Sequence, residues 1–317
     1  QGVFLEQLEK KLKAKLNKLV KLGVVSMNMT NVKWFNDIVV VEKPDGSLRI
    51  CLDPAKLHKV IEREHRLIPS FEDLKQKLAG NEYFSTLDIK DAFWNVNMSE
   101  KSSDYCGFHT PWGQYKFCKM PFGITSAPEV LQSLNNKHFG PLLGTFVYFD
   151  DILVTGKTKE EHDTNLRKVA EKARAIGIKF NISKFKFRKP ELDFLGHILD
   201  KNGINPSKDN VEAILNLKPP KSKKELQSIL GLVNYLRDFL PKLSDLTAPL
   251  RELLKKDSHW IWSESHENCL NKIKKAVCEI TQLSKFNPKK PITMQCDASN
   301  YGLGACLMQN NKPIAYA

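Results

Sequence analysis

The sequence predicts an α+β protein that contains antiparallel hairpins. The clearest hairpin lies in residues 144–155, an apolar run rich in β-branched and aromatic residues with a tight turn at Asp150 and Asp151. A second hairpin is predicted at residues 37–52, where Pro-Asp-Gly-Ser separates two apolar runs. Leucines three and four residues apart in residues 1–22 indicate that helices accompany these strands.

The first half of the chain alternates helices and strands. The leucines of residues 1–22 lie on one face of an amphipathic helix that Gly23 ends. This stripe is too short for a stable coiled coil, so we expect it to dock on the rest of the protein. The other elements expected in this half are strands at 37–43, 48–52 and 83–88, a helix at 69–78 and the hairpin at 144–155.

Prolines and a helix cap organise the second half. Pro219 and Pro220 mark a break, after which Ser222 and Glu225 predict a capping box for a helix that runs toward Phe239. The remaining elements expected here are helices at 158–176, 245–256 and 264–280, and strands at 178–187, at 191–199 and on both sides of residues 297–302.

The composition favours a polyanionic partner. The 317 residues carry 49 basic and 36 acidic side chains, a net charge of +13, which suits nucleic acid or simply a lysine-rich surface. No apolar run approaches the length that spans a bilayer, and no signal peptide is expected at the start. The seven cysteines are scattered without a Cys-x-x-Cys pair, which favours reduced thiols in a cytosolic or nuclear protein over a disulfide or zinc framework.

One segment concentrates the positive charge. Residues 172–189 contain seven basic residues, no acidic residue, and Phe180, Phe185 and Phe187 between them. This pattern is typical of a surface where basic residues contact phosphates beside aromatic rings. It is also expected if the phenylalanines pack in the core as part of strands. Core packing is the preferred reading for at least two of the phenylalanines.

Three carboxylates follow predicted strands. Asp150 and Asp151 lie at the tip of an apolar hairpin, and Asp88 ends the strand predicted at residues 83–88. Adjacent carboxylates repel one another and resist leaving water, which favours a bound cation between them. The alternative is a plain turn, because aspartate is also common in turns. If the two strands lie side by side, the three carboxylates can hold two divalent cations about 4 Å apart, as phosphoryl transfer requires.

Seven short motifs follow one another along the chain. They are Lys-Pro-Asp-Gly-Ser-Leu-Arg-Ile-Cys-Leu-Asp at 43–53, Phe-Ser-Thr-Leu-Asp-Ile-Lys-Asp-Ala-Phe at 84–93, Met-Pro-Phe-Gly-Ile-Thr-Ser-Ala-Pro-Glu-Val-Leu-Gln at 120–132, Tyr-Phe-Asp-Asp at 148–151, Phe-Leu-Gly-His at 194–197, Leu-Gln-Ser-Ile-Leu-Gly-Leu-Val-Asn-Tyr-Leu-Arg-Asp-Phe at 226–239 and Asp-Ala-Ser-Asn-Tyr-Gly-Leu-Gly at 297–304. In this order they resemble the reverse transcriptases of Ty3/gypsy-type long-terminal-repeat retrotransposons. The resemblance covers roughly residues 10–317.

The resemblance implies a fold and a domain order. The fold would be a right-hand polymerase with fingers, a palm built on an antiparallel sheet and a helical thumb, followed by an incomplete α/β segment similar to ribonuclease H. The expected divisions are an N-terminal helix and lead-in at 1–30, fingers and palm at 31–204, thumb helices at 205–258, and a connection with a truncated ribonuclease H-like domain at 259–317.

The activity implied is RNA-directed DNA synthesis, which extends a primer on an RNA or DNA template. Asp88, Asp150 and Asp151 would bind two Mg²⁺ ions, with the Ile89 carbonyl assisting and Mn²⁺ as an alternative ion. Asp297 would be a metal ligand of the ribonuclease H-like segment. Its site is incomplete, so we expect no ribonuclease H activity from this chain.

The resemblance also assigns binding residues. Lys43 and Arg49 would clamp the triphosphate, and Phe93 would exclude a ribose 2′-hydroxyl. The residues expected at the deoxynucleotide are Lys43, Arg49, Asp91, Ala92, Phe93, Phe122 and Gly123, and those expected at the primer and template are Tyr148, Leu195, Gly196, His197 and Gln132.

Several alternatives stay open. Arg49 could pair with Asp53, and Phe93 and Phe122 could be core residues. His58 and Phe185 stand where the family usually has asparagine and cysteine.

The expected partners are RNA and DNA template–primers, deoxynucleotides and other parts of a pol polyprotein, namely protease, the ribonuclease H remainder and integrase. A dimer is a further option, and no membrane partner is expected. The expected location is a cytoplasmic virus-like particle, the nucleus or both. The rival functions are a catalytically silent nucleic-acid-binding scaffold or domesticated fragment, and an RNA polymerase with a similar palm, which Phe93 disfavours.

Overall fold

The computed structural model describes residues 2–27, 32–62, 66–78, 80–280, 282–299 and 302–316. The helices are α1 (Gly2–Lys21), α2 (Phe71–Leu78), α3 (Glu100–Ser103), α4 (Ala127–Phe139), α5 (Lys159–Ile176), α6 (Lys208–Leu215), α7 (Lys223–Tyr235), α8 (Leu243–Glu252) and α9 (Glu264–Cys278). Short 3-10 helices cover Leu57–Lys59, Ala92–Asn95, Ile182–Lys184 and Arg237–Phe239.

The strands are mostly short. They are β1 (Val25–Ser26), β2 (Phe35–Glu42), β3 (Leu48–Asp53), β4 (Tyr83–Asp88), β5 (Gly107–Thr110), β6 (Gly113–Phe117), β7 (Thr145–Tyr148), β8 (Asp151–Gly156), β9 (Lys186–Lys189), β10 (Glu191–Phe194), β11 (His197–Asp200), β12 (Gly203–Pro206), β13 (Leu283–Ser284), β14 (Thr293–Ser299), β15 (Gly302–Gln309) and β16 (Lys312–Tyr316). Within the described ranges, no helix is long and apolar enough to cross a membrane.

The chain forms two compact units that are discontinuous in sequence. The first comprises residues 1–69, 87–152 and 167–185, and the second comprises residues 70–86, 153–166 and 186–317. This grouping follows spatial contacts and does not test the predicted domain boundaries, which stay predictions.

The first unit is built on a five-stranded sheet with the order β1-β6-β5-β2-β3. β2 and β3 form the predicted hairpin, with Asp37 opposite Asp53 and Glu42 opposite Leu48. Leu16 of α1 is fully buried in a core with Ile50 and Phe108. The expected docking of the leucine stripe is therefore confirmed for Leu16 and Leu19, which are buried in this core. Burial of each such side chain contributes about 2 kcal/mol to stability.

A four-stranded sheet has the order β7-β8-β4-β9. The hairpin predicted at residues 144–155 is present as β7 and β8. In the second unit, Ser85 of β4 is fully buried and its hydroxyl bonds the His162 ring at 2.8 Å. The same hydroxyl accepts the Arg188 backbone N–H at 2.8 Å, so this buried serine is fixed as a structural contact of β4.

The second unit also contains the sheet β10-β11-β12-β13 and the antiparallel meander β14-β15-β16. At the start of α7 only half of the predicted capping box forms. The Ser222 hydroxyl accepts the Glu225 N–H at 3.2 Å, but the Glu225 carboxylate accepts the N–H of Lys221 at 2.7 Å. A complete box, which the sequence reading missed, starts α9 with Ser263 and His266.

The strand predicted at 178–187 is wrong for most of its length. A 3-10 helix occupies Ile182–Lys184, and the strand β9 begins only at Lys186. Phe180 and Phe185 are half-buried and Phe187 is 45% exposed, so the preference for core packing of at least two phenylalanines is also wrong. The Arg188 guanidinium lies 4.6 Å from the centre of the Phe187 ring, which keeps this aromatic at the surface.

Candidate active site

The turn that carries Asp150 is held from α4. Phe149 adopts a left-handed conformation with φ of 49°, which is uncommon for a bulky residue. Its N–H donates to the Gln132 side chain at 2.6 Å, and its carbonyl accepts from the Asn135 side chain at 2.7 Å. Both amides are buried, so they give this unusual turn the hydrogen bonds that burial demands.

This placement changes the interpretation of Gln132. The side chain is fully buried, and its Nε2 also donates to the Val147 carbonyl at 2.9 Å. Gln132 therefore supports the hairpin of β7 and β8, and its expected role at the primer or template stays a prediction. Tyr148 is half-buried, and its ring meets the Phe149 ring edge-on with centroids 4.6 Å apart.

Asp88 lies at the end of β4, beside the same turn. The Ile89 N–H donates to the Asp150 carbonyl at 2.7 Å, which fixes the register of the two motifs. The Asp88 carboxylate accepts hydrogen bonds from the Asn181 side chain and, at 2.6 Å, from the Lys184 ammonium. Lys184 therefore contacts a carboxylate that is 96 residues away in sequence.

The electrostatics of the site connect the three aspartates. Burial raises the pKa of Asp150, and the negative charge of Asp88 adds to this effect. The hydrogen bond to Asp88 raises the pKa of Lys184, and the charges of Asp88, Asp150 and Asp151 raise it further. One ammonium group is thus stabilised by all three carboxylates that the sequence selected.

We tested whether these residues fit a divalent cation. Within the described ranges, no group of three or more His, Cys, Asp or Glu side chains is arranged as a ready-made metal site. The oxygen donors and their negative charge nevertheless suit Mg²⁺, and the charges of the three aspartates raise the pKa of the Lys184 ammonium that bonds Asp88. The donor set of Asp88, Asp150 and Asp151 therefore fits Mg²⁺, with the Ile89 backbone adjacent.

The predicted nucleotide residues mostly line one cleft of about 400 Å³ in the first unit. Its wall includes Lys43, Arg49, Asp88, Ile89, Asp91, Ala92, Phe93, Phe122 and Asp150. Asp91 has a left-handed φ of 51° and begins the turn that carries Phe93. The cleft therefore combines two of the predicted catalytic carboxylates with cations and aromatic rings.

Aromatic and cationic groups are packed together on one side of this cleft. The Phe93 and Phe122 rings meet edge-on with centroids 4.9 Å apart, and the Arg49 guanidinium lies 4.7 Å from the centre of the Phe122 ring. Both phenylalanines are half-buried, so neither is a simple core residue. Arg49 is oriented by this stacking, and its remaining N–H donors can serve an anion.

Gly123 allows a close approach between two backbone segments, and its expected place at the deoxynucleotide stays a prediction. Its φ is +109°, and a Cβ atom there would overlap the Leu52 carbonyl oxygen. The Leu52 N–H also donates to the Phe122 carbonyl at 2.8 Å. Glycine is required because the backbone approaches β3, and this approach places the neighbouring Phe122 ring in the cleft.

The sequence reading missed several residues of the cleft. Asn181 and Lys184 lie in the basic segment that the sequence did single out, but their contacts with Asp88 depend on the folded chain. Lys15 and Lys18 of α1 also line the cleft. Burial lowers the pKa of Lys15, whose ammonium lies 5.1 Å from the centre of the Trp94 ring.

The predicted primer residues lie in the second unit, at the turn between β10 and β11. Leu195 and Gly196 have φ values of 52° and 72°, as a two-residue hairpin turn requires. The Tyr235 hydroxyl donates to the Leu195 carbonyl, and the Tyr235 ring stacks on His197 with centroids 5.4 Å apart. Burial lowers the pKa of His197 to about 4, so the ring is neutral at pH 7 and shapes the hairpin from inside.

Asp297 lies on β14 in the second unit. Its carboxylate meets the Lys242 ammonium at 2.6 Å, and both side chains are 61% exposed. The hydrogen bond from Lys242 and its charge lower the pKa of Asp297. The expectation that this chain has no ribonuclease H activity stays a prediction.

The cleft joins the carboxylates of Asp88 and Asp150 to cations and aromatic rings, which suits a phosphorylated ligand. The family model described as "Reverse transcriptase (RNA-dependent DNA polymerase)" matches residues 41–199, and the chain belongs to this family. A second model, "RNase H-like domain found in reverse transcriptase", matches residues 262–317.

Two kinds of known protein are similar to the chain. The Transposon Tf2-3 polyprotein of Schizosaccharomyces pombe (strain 972 / ATCC 24843) is 33% identical over 305 residues, which cover 95% of this chain and 23% of the relative. The chain thus spans about a quarter of that relative's length. A foamy viral protease–reverse transcriptase solved in complex with double-stranded DNA has a TM-score of 0.88 at 26% identity, over 97% of this chain and 55% of that chain.

The same viral protein, solved with an RNA/DNA hybrid, has a TM-score of 0.84 at 25% identity, over 98% of this chain and 42% of that chain. The α+β polymerase fold, the ribonuclease H-like segment and the resemblance to retrotransposon reverse transcriptases are therefore confirmed.

Proposed function

We propose that this chain is the RNA-directed DNA polymerase part of a Ty3/gypsy-type long-terminal-repeat retrotransposon polyprotein. It would extend a primer on an RNA or DNA template by two-metal nucleotidyl transfer. The observation that carries the proposal is the placement of Asp88 beside the Asp150–Asp151 turn, fixed by the 2.7 Å bond from the Ile89 N–H to the Asp150 carbonyl, in a unit whose cleft also holds Arg49. The negative charges of the three aspartates also favour a cation at Lys184. Three carboxylates that stabilise one cation in this way suit metal-assisted phosphoryl transfer.

Asp88, Asp150 and Asp151 would hold two Mg²⁺ ions, with Mn²⁺ as an alternative. When bound, the ions would activate the primer 3′-hydroxyl and neutralise the triphosphate. The protein's own contribution is mainly position and charge. Arg49 and Lys43 would bind the triphosphate, and the Phe93 ring would form the wall against the sugar.

The similar viral proteins were solved with double-stranded DNA and with an RNA/DNA hybrid, which supports a template–primer as the partner here. The Leu195–Gly196 turn and Tyr148 remain the candidate primer contacts. His197 would act by holding that turn, since its ring is buried. Protease, integrase and the rest of ribonuclease H would be neighbours in the polyprotein, and the place of action would be a cytoplasmic particle, the nucleus or both.

The test is primer extension on an RNA template with deoxynucleotides and Mg²⁺. The matched control is the Asp150→Asn/Asp151→Asn double variant, which keeps the size of both side chains. Extension by the parent protein and none by the variant is the expected result. Tight template–primer binding without extension by either protein would overturn the proposal and favour a silent scaffold.

A further inference from the structure

A second concave site lies in the second unit and shares no residue with the catalytic cleft. It has a volume of about 640 Å³, and its wall includes Lys157, Lys285, Lys289, Lys290 and Lys312. None of the described residues in its wall is acidic. Among the residues that the structure describes, none of these five lysines forms an ion pair with a carboxylate, so their charge is available to a ligand.

The loop that carries two of the lysines is held in place by a buried glutamine. Gln309 is 5% exposed, and its Nε2 donates to the carbonyls of Asn287 and Lys290 at 2.8 and 2.9 Å. Its Oε1 accepts the Asn287 N–H at 2.9 Å. Because Gln309 ends β15 and Lys312 begins β16, these bonds hold Lys289 and Lys290 beside the hairpin that carries Lys312.

Lys285 lies at the inner side of the same site. Its ammonium donates to the Asn81 carbonyl and lies 5.5 Å from the centre of the Phe84 ring. Burial lowers the pKa of Lys285 to about 8, against the opposing charges of Asp200 and Glu82. An anion that approached this partly buried ammonium would stabilise its charged form.

We propose that this lysine site binds the phosphate backbone of a single-stranded nucleic acid, separately from the catalytic cleft. The rim lysines are exposed and come from separate segments, which suits a flexible polyanion better than one small phosphate. Asn202 and Asn310 add amide groups for sugar or phosphate oxygens, and the half-buried Phe286 adds an aromatic surface for a base. The inference rests on this site alone and holds whether or not the chain polymerises.

The first test measures binding of a fluorescent single-stranded oligodeoxythymidine, without nucleotides or metal, over a salt series. The site variant is Lys289→Gln/Lys290→Gln/Lys312→Gln. The matched control, Lys256→Gln/Lys272→Gln/Lys275→Gln, removes the same charge from exposed positions outside the site. We expect the site variant to bind about tenfold more weakly and to lower the slope of log affinity against log salt by about 2, since each phosphate contact on a single strand contributes about 0.7.

Equal losses in the two variants would overturn the proposal, because net charge alone would then explain binding. Primer extension by the site variant at low salt is expected to match that of the parent protein. If the parent protein does not extend primers, the binding comparison still decides the inference.

The second test locates the ligand on Lys285. Amine acylation near pH 8, read by peptide mass spectrometry, is expected to modify Lys285, and the oligodeoxythymidine is expected to protect it. Inorganic tripolyphosphate at the same phosphate concentration is the comparison ligand. Weaker protection by tripolyphosphate supports the nucleic-acid strand, whereas equal protection would overturn it in favour of a small polyphosphate.

Discussion

Asp88 and Asp297 each meet a lysine ammonium at 2.6 Å, yet their surroundings differ greatly. The Asp88 side chain is 13% exposed, accepts a second bond from Asn181 and lies near the charge of Asp150. The Asp297 side chain is 61% exposed, and its ion-pair partner among the described residues is Lys242. The two ion pairs have the same length, but the Asp88 pair lies in a cleft among other charges and the Asp297 pair lies at the surface.

Burial explains why the two pairs have different consequences. Water screens an exposed ion pair and competes for both partners, so such pairs contribute little. In the cleft that Asp88 and Asp150 line, burial raises the pKa of Asp150, and the nearby negative charge of Asp88 adds to this effect. Positive charge is therefore favoured beside both aspartates, but at Asp88 the charges of Asp150 and Asp151 add to the effect.

The largest expected effect comes from Asp150→Asn. The variant keeps the shape of the side chain but removes its charge, so we expect nucleotide addition to fall about 1,000-fold or more. The measurement is primer extension under single-turnover conditions. Circular dichroism and template–primer binding should stay near those of the parent protein, and extension at the parent rate would contradict the metal assignment.

The next largest effect is expected for Lys184, and it distinguishes this lysine from Lys242. In Lys184→Gln we expect the rate at saturating Mg²⁺ to fall about tenfold, since a cation beside the reacting phosphates is lost. The Mg²⁺ concentration that gives half the maximal rate should fall as well, because the ammonium no longer competes for Asp88. Titration of extension rate with Mg²⁺ measures both quantities.

Lys242→Gln is the matched control, because Lys242 meets its aspartate at the same 2.6 Å. Neither the maximal rate nor the Mg²⁺ dependence should change. If the two lysine variants behaved alike, the contrast between a functional cleft and a surface pair would be lost.

The sequence could predict features formed by neighbouring residues but not contacts between distant segments. The hairpin with Asp150 was predictable because its strands, its turn and its aspartates are adjacent in the chain. The Lys184 contact with Asp88 and the support of Phe149 by Gln132 were not, because each depends on the tertiary fold. Local pattern likewise failed at residues 178–187, where Ile182–Lys184 form a 3-10 helix and the Asn181 side chain donates to Asp88.

A smaller effect is expected for Gly123→Ala. The new Cβ would overlap the Leu52 carbonyl, and the φ of +109° is unfavourable for alanine, so the Phe122 backbone must shift. We expect the KM for deoxynucleotides to rise several-fold and the melting temperature to fall by a few degrees, as a loss of about 1–2 kcal/mol produces.

Gly304→Ala is the control for this change and lies opposite Asp297 in the meander. A Cβ at Gly304 has its nearest neighbour at 3.9 Å, the Asp297 carbonyl oxygen, which is ordinary contact. Steady-state kinetics and thermal unfolding should therefore leave Gly304→Ala unchanged. An equal rise in KM for both glycine variants would mean that the position of Phe122 does not determine nucleotide binding.

The smallest expected effect is that of Asp297→Asn, which makes the same chemical change as Asp150→Asn. Its carboxylate is exposed, pairs with an equally exposed lysine and lies on an outer strand of the meander, so removal of its charge should leave primer extension unchanged. Degradation of a labelled RNA/DNA hybrid should be absent both before and after the change. Hybrid degradation by the parent protein that disappears in Asp297→Asn would prove that Asp297 works as a metal ligand despite its exposure, and would remove the distinction drawn between the two sites.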